Sequence, residues 1–381
     1  LRPGDVLVAI TQSGETKDLV DILNQARKKF GSDVRVIAVV NNENSTIPQE
    51  KADFFLPLLC GPEIAVAATK SFSAQLALFF LLAAGLDPEA PPPAQKLESI
   101  RHLLEYTLQT CEEDVTAVML QFFLKPSIHI LGTSLIGLAR EGALKIREVV
   151  LNHAEGYDAA EFKHGPNTIL GKNTLYSFMD MENLLADMAE FCRDLFAGSG
   201  RKPNGGERAA ERFLGRVRDF KFSDMADEIM EHGGNAGSAS GRDRELSRRF
   251  HAQVNAEKYF SNYPLIFVCP PDERDIRITI SQIHTHKIRG ADVVLIAEEN
   301  ADLARALEGK PAGMQDYFCR YIKVPASGDR NLFVFQAAVV LQLLALKMSV
   351  AKMKYLNRAR IENHGVHPDV PKNVSKSITV D

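Results

Sequence analysis

The chain has 381 residues, 45% of them hydrophobic and 25% charged, which excludes disorder throughout and asks for two or so cores rather than one. A net charge of -4, with no basic stripe interleaved with aromatics, excludes a general attraction for nucleic acid or an acidic membrane and leaves a small molecule as the expected partner. Five widely spaced cysteines (Cys60, Cys111, Cys192, Cys269 and Cys319) are odd in number and suit a reducing, cytoplasmic setting better than a disulfide framework.

Strand-like runs DVLVAIT (5–11), VRVIAVVNN (34–42) and DFFLPLL (53–59) alternate with helical patterns at about 16–30 and 69–86, the rhythm of a parallel sheet wrapped by helices. Between the first strand and the first helix lies ITQSGETKD (10–18). Thr11, Ser13 and Thr16 offer hydroxyls, Gln12 an amide, and Gly14 lets the backbone approach a ligand at the positive end of a helix dipole. The stretch reads as an anion cradle, and without a Lys it is not the nucleotide loop GxxxxGK[ST]. FSAQLALFFLLAAGL (72–86) is shorter than a membrane span and carries Ser and Gln, so a buried helix is expected. No signal peptide is visible, and a strand so close to an initial Leu suggests a missing upstream part.

After the Pro-rich break DPEAPPPA (87–94) comes a long amphipathic helix, roughly 95–124, and then the rhythm restarts with strand SIHILGT (127–133) and a helix over 134–153. Further strands are expected near 174–179, 264–269, 292–297 and 320–324, with helices near 273–289, 300–308 and 331–353. TLYSFM and PLIFVC both compete for the sheet position after residue 173. Between about 182 and 260, charged helical pieces joined by Gly-rich stretches read as a surface insertion with mobile linkers. The fold class is therefore α/β, divided as 1–90, a connecting helix 91–126, a second domain 127–350 with the insertion, and a tail 351–381.

On the helix of 134–153, Glu141, Lys145 and Glu148 fall at i, i+4 and i+7 and share one face, while Leu138, Leu144 and Val149 fit positions nearer the core. Spacing alone allows a solvated salt-bridge stripe. The polar loop that follows, NHAEGYDAAEFKHGPN with His153, Glu155, Lys163 and His164, favours a site instead. HTH (284–286) and HGVH (364–367) have spacings a metal could use, but no Cys or carboxylate cluster accompanies them, and no metal is expected. GTSLIG (132–137) could be a second anion loop, with Ser134 as a plain helix cap the favoured reading.

SGET with its preceding Thr-Gln, CGPEIAVAATKSF (60–72), EGALKIRE (141–148), HAEGYDAAEFKHGP (153–166) and the terminal VPKNVSKSITVD (370–381) resemble, in order, the sugar-isomerising half of the glutamine:fructose-6-phosphate amidotransferase family. That half is a pair of SIS (sugar isomerase) domains, each a Rossmann-like doubly wound sheet. The resemblance implies that Thr11, Gln12, Ser13 and Thr16 hold the phosphate of fructose 6-phosphate or glucosamine 6-phosphate. It further implies that Glu148 shuttles a proton between C1 and C2, that Lys145 supports the developing oxygen charge, and that His164 opens the sugar ring from a neighbouring subunit of a homodimer. Lys376 would form a Schiff base or hold the open chain, Thr69 would line the sugar site with Lys70 beside it, and Glu141 and Lys163 would support. No cofactor is implied. Ammonia would come from a glutaminase domain upstream or in trans.

Departures from the family pattern are the insertion, the lengthened segment KMKYLNRARIENHGVH (352–367), Ala160 where the family usually has Gly, and the absence of a first strand and a serine-bearing Gly-rich loop. Rival readings are a SIS-type sugar-phosphate deaminase, deglycase or isomerase, and a sugar-phosphate sensor without turnover. Retention of Lys145, Glu148, His164 and Lys376 together argues against the sensor.

Overall fold

A computed structural model describes residues 1–86, 89, 92–171, 261–309, 317–358 and 360–369. Leu1–Ile169 with Pro264–Asp381 form one compact unit and Leu170–Tyr263 a second. Cys192, the expected strand TLYSFM, the whole 182–260 insertion and the terminal segment with Lys376 lie outside the described residues.

Two sheets build the first unit. In one, β1 (Val6–Thr11), β2 (Arg35–Val40) and β3 (Phe54–Pro57) run parallel in the order β1-β2-β3. Helix α1 (Lys17–Phe30) and the helical turn Ile47–Lys51 cover one face, where Ala9, Leu23, Val36, Ala38 and Ile47 pack together. Asp18 in the first turn of α1 and Arg27, Lys28 and Lys29 in its last turn complement the helix dipole. Arg27 also donates to Gly31 O, Val34 O and Asp53, tying the helix end to the start of the next strand.

The other sheet has the order β5-β4-β6-β7-β8, with β4 (Ser127–Gly132), β5 (His153–Asp158), β6 (Tyr263–Val268), β7 (Ala291–Glu298) and β8 (Cys319–Val324). PLIFVC, as β6, takes the place beside β4, and the pairs β4/β5, β4/β6 and β7/β8 are parallel. Helices α3 (Pro93–Phe122), α4 (Ile136–Val149) and α8 (Arg330–Arg358) supply one core through Val115, Phe122, Ala139, Ile146, Phe333 and Leu344 against Ile130, Val268, Val294 and Ile322. On the opposite face lie α5 (Ala159–Phe162), α6 (Glu273–Ile288) and α7 (Ala301–Glu308). Both faces are covered, which is why β6 and β7 read as continuous apolar runs.

Helix α2 (Lys70–Gly85) leads from the first sheet to α3. Helix α8 is longer than the expected 331–353 and is apolar enough over its length to cross a membrane, yet 61% of its most apolar window is buried in the protein, as befits a core helix.

Three local expectations change. Helix α4 stops at Val149, not at 153, because Leu151 turns to φ 59 and β5 begins at His153. The expected polar loop of 153–166 is thus partly an edge strand, with Ala154 buried, followed by α5, whose first amides are capped by the Asp158 carboxylate. Leu144 is exposed rather than core-facing, whereas Leu138 and Val149 are buried.

Candidate functional site

Parallel strands bring the loops after β1, β2 and β3 to one edge of the first sheet, where open α/β folds seat ligands. The loop after β1 turns at Gly14, whose φ of 72 suits glycine; a Cβ there would lie 1.7 Å from Ser45 Oγ. Thr11 is buried, and its Oγ1 accepts from Gly14 N at 3.1 Å and sits 3.0 Å from Thr16 Oγ1, which fixes the curl of the loop. Ser13 and Thr16 are exposed, and Thr16 precedes α1 without spending its hydroxyl on a cap. Exposed hydroxyls and the first amides of α1 therefore stand together at the positive end of a helix dipole, an arrangement suited to an anion.

The loop after β3 is fixed just as closely. Asn41, at the end of β2, donates its backbone amide to Gln12 O and its side-chain amide to Gly61 O, and accepts from Cys60 Sγ. Thr69 and Lys70 stand at the start of α2; the Lys70 ammonium donates to Pro62 O at 2.8 Å. Ala67 of this loop enters the core that also holds Ala139, Ala143 and Ile146 of α4.

Helix α4 lies directly on β5 because Gly156 has no side chain; a Cβ there would meet Arg140 N at 2.3 Å. The expected shared face of Glu141, Lys145 and Glu148 forms, with the lysine buried and the two carboxylates only partly exposed, so it is not a solvated stripe. Lys145 is 3% exposed, with its Nζ 2.7 Å from Glu148 Oε2 and 3.4 Å from Glu141 Oε1. Burial raises the Glu141 pKa against the pull of Lys145. The carrying turn is anchored from α8, where Ser349 Oγ donates to Val149 O and Lys352 Nζ donates to Val150 O and Asn152 Oδ1. A buried ammonium in reach of two carboxylates makes a charge-assisted cluster through which a proton can be held and passed.

His164 follows α5, beyond the carboxyl end of β5, whereas Glu148 lies in the last turn of α4, before that strand's start. Lys163 and His164 are exposed.

Other expectations resolve locally. Ser134 does not cap α4: it sits at φ 54, donates to Asp275 and accepts from Arg330, so GTSLIG is filled by the protein's own charges. His284 is exposed while His286 is fully buried, and His364 and His367 each accept a backbone amide two residues on. Cys60, Cys111, Cys269 and Cys319 carry no disulfide among the described residues, and burial pushes the Cys111 thiol up to about 11 and Cys269 to about 12. Sequence reasoning did not single out Asn41 or Glu63; the one available signal was a carboxylate six residues ahead of a helix start.

Comparison with known proteins agrees with the resemblance. Residues 1–85 match the SIS domain family. The chain is 41% identical over 170 residues to the glutamine–fructose-6-phosphate aminotransferase (isomerizing) of Aquifex aeolicus and 37% identical over 172 residues to that of Sulfurisphaera tokodaii. These matches span 44% and 45% of this chain and 28% of each relative, well under a third of its length. Among solved structures, the C-terminal domain of glucosamine-fructose-6-phosphate aminotransferase from Francisella tularensis superposes with a TM-score of 0.56 at 22% identity, covering 93% of this chain and 73% of that one. Glucosamine-6-phosphate deaminase from Thermotoga maritima gives 0.53 at 16%, covering 98% and 75%. The parallel sheets flanked by helices are thus an α/β fold shared with these structures, and residues 1–85, which hold the first sheet, match the SIS domain.

Proposed function

We propose that the chain is a sugar-phosphate isomerase unit, and more narrowly the part of a glucosamine-6-phosphate synthase that converts fructose 6-phosphate and ammonia to glucosamine 6-phosphate and water. The observation that carries this is the pairing, in one chain, of a hydroxyl-lined anion cradle with a buried lysine held between two carboxylates. Similarity to the aminotransferases supports it.

Thr11, Gln12, Ser13 and Thr16 would anchor the phosphate, leaving the sugar to extend toward Thr69. Ammonia condenses with the C2 ketone, water leaves, and the resulting imine is reduced at C2 while C1 is oxidised to the aldehyde as one proton passes from C1 to C2 and the O1 hydroxyl proton is replaced on the imine nitrogen, which becomes the amine. No external oxidant or reductant enters that balance. Glu148 would carry the proton and Lys145 would stabilise the oxygen charge, with Glu141 holding the other side of the ammonium. His164 would open the ring from a second copy of the chain, Lys376 would hold the open keto sugar, and ammonia would come from a glutaminase domain. Cytoplasmic location and a homodimer belong to the same reading.

The test is to follow fructose 6-phosphate in deuterated buffer, with and without ammonium, by NMR. Conversion with deuterium entering at C1 or C2 is the expected result. Glu148→Gln should slow it by about 10²–10⁴-fold while leaving sugar-phosphate affinity nearly unchanged. Loss of binding in that variant, or undiminished turnover, would remove Glu148 from the role.

A further inference from the structure

The start of α2 is an anion socket that the chain fills itself. Glu63 Oε1 accepts from Thr69 N at 3.0 Å, from Lys70 N at 3.2 Å and from Thr69 Oγ1 at 3.4 Å, and Oε2 accepts from Ser71 N at 3.0 Å and from Ser71 Oγ. Five donors thus converge on one carboxylate at the positive end of a 16-residue helix. These bonds overcome the desolvation of the group and hold its pKa below the usual value, so it stays ionised at neutral pH.

We infer that Glu63 is a positioning residue for the sugar phosphate: by filling the α2 socket from within the chain it fixes the 58–69 loop, and with it Thr69, next to the anion cradle. This rests on the reading of the cradle given above. The link between the two is continuous in hydrogen bonds. Gln12 O of the cradle accepts from Asn41 N, Asn41 Nδ2 donates to Gly61 O at 2.7 Å, and two residues later Glu63 closes the loop onto α2. Lys70 Nζ, donating to Pro62 O, adds a second tie across the same loop. The α1 socket is open beside exposed Ser13 and Thr16, while the α2 socket is already occupied, so of these two helix starts the first is the one left to an incoming monophosphate.

The experiment compares the wild-type chain with Glu63→Ala and Glu63→Gln, using titration calorimetry with fructose 6-phosphate and thermal melts with and without excess formate, a free carboxylate small enough for the vacated socket. Glu63→Ala should weaken fructose 6-phosphate binding roughly tenfold or more and lower Tm. Formate should restore both in that variant and change neither in the wild type, with Glu63→Gln lying between. Unchanged affinity in Glu63→Ala, or a loss that formate does not repair, would overturn the positioning role. If the wild type itself ignores fructose 6-phosphate, the proposed function falls; the formate-dependent melting of Glu63→Ala still decides whether Glu63 fills an anion socket.

Discussion

The first and second sheets solve the same topological problem with different amounts of burial. In the second, β4, β6 and β7 are covered on both faces and their core residues are almost fully buried. In the first, the described residues cover one face, and on the other Val6, Val8 and Ile10 stand 47–54% exposed beside Phe54 at 65%. The loops differ in the same sense. After β1 the chain offers Thr11, Gln12, Ser13, Gly14 and Thr16, whereas after β6 it offers Cys269, two prolines and the acids Asp272 and Asp275, already engaged by Arg330. One sheet leaves donors open for an anion and the other seals its crevice with its own charges. Burial is concentrated in the second sheet, and on the proposed reading the phosphate would be seated by the first, in keeping with binding loops being drawn from the less stable parts of a fold.

Acid should separate the two sheets most strongly. His129 and His286 belong to the second; burial, opposed at His129 by Glu155, lowers both to about 4 from 6.5. A folded pKa below the unfolded one means that the unfolded chain takes up the proton first, so stability is lost as pH falls from about 6.5 toward 4, by up to about 3 kcal/mol per histidine. The first sheet has no histidine in residues 1–86. Its Asp53 and Glu63 carry lowered pKa values, so their contribution persists until pH falls below the ordinary carboxylate range. Hydrogen exchange read by peptide mass spectrometry should show β4 and α6 losing protection between pH 6.5 and 4 before β1–β3 do so from their own titration. Equal loss in both sheets over that window would mean that they unfold as one unit and would break the comparison.

Core truncation comes next. Ile130 on β4 is fully buried in the largest core, and Ile130→Ala should cost about 2–5 kcal/mol in urea unfolding. Circular dichroism is the readout, since the chain has no Trp.

Much of this division was legible beforehand. The apolar runs at 5–11, 34–42, 264–269 and 292–297 become strands because continuous β-branched stretches bounded by turn residues have few other ways to bury themselves. The i, i+4, i+7 spacing of Glu141, Lys145 and Glu148 correctly placed them on one face, but spacing does not say whether water covers that face; packing against neighbouring elements decides it. β5 was missed because an edge strand reading His-Ala-Glu-Gly-Tyr-Asp has low strand propensity and is held by pairing with β4. Ser134 was misread as a cap because its partners, Asp275 and Arg330, lie 141 and 196 residues away.

The smallest expected effect is the sharpest test of the bare face. Val8→Thr exchanges a methyl for a hydroxyl at a half-exposed position on β1, keeps the β-branch, and leaves the packed residues Ala9 and Val36 untouched. Where water covers the site, the hydroxyl needs no protein partner, and the change should stay within about 0.5 kcal/mol by urea unfolding. A buried hydroxyl without a partner would instead cost about 1–3 kcal/mol. A shift of that size, with m unchanged, would mean that something covers Val6, Val8 and Ile10 in solution; the two sheets would then be buried alike, and the contrast drawn from exposure would fail.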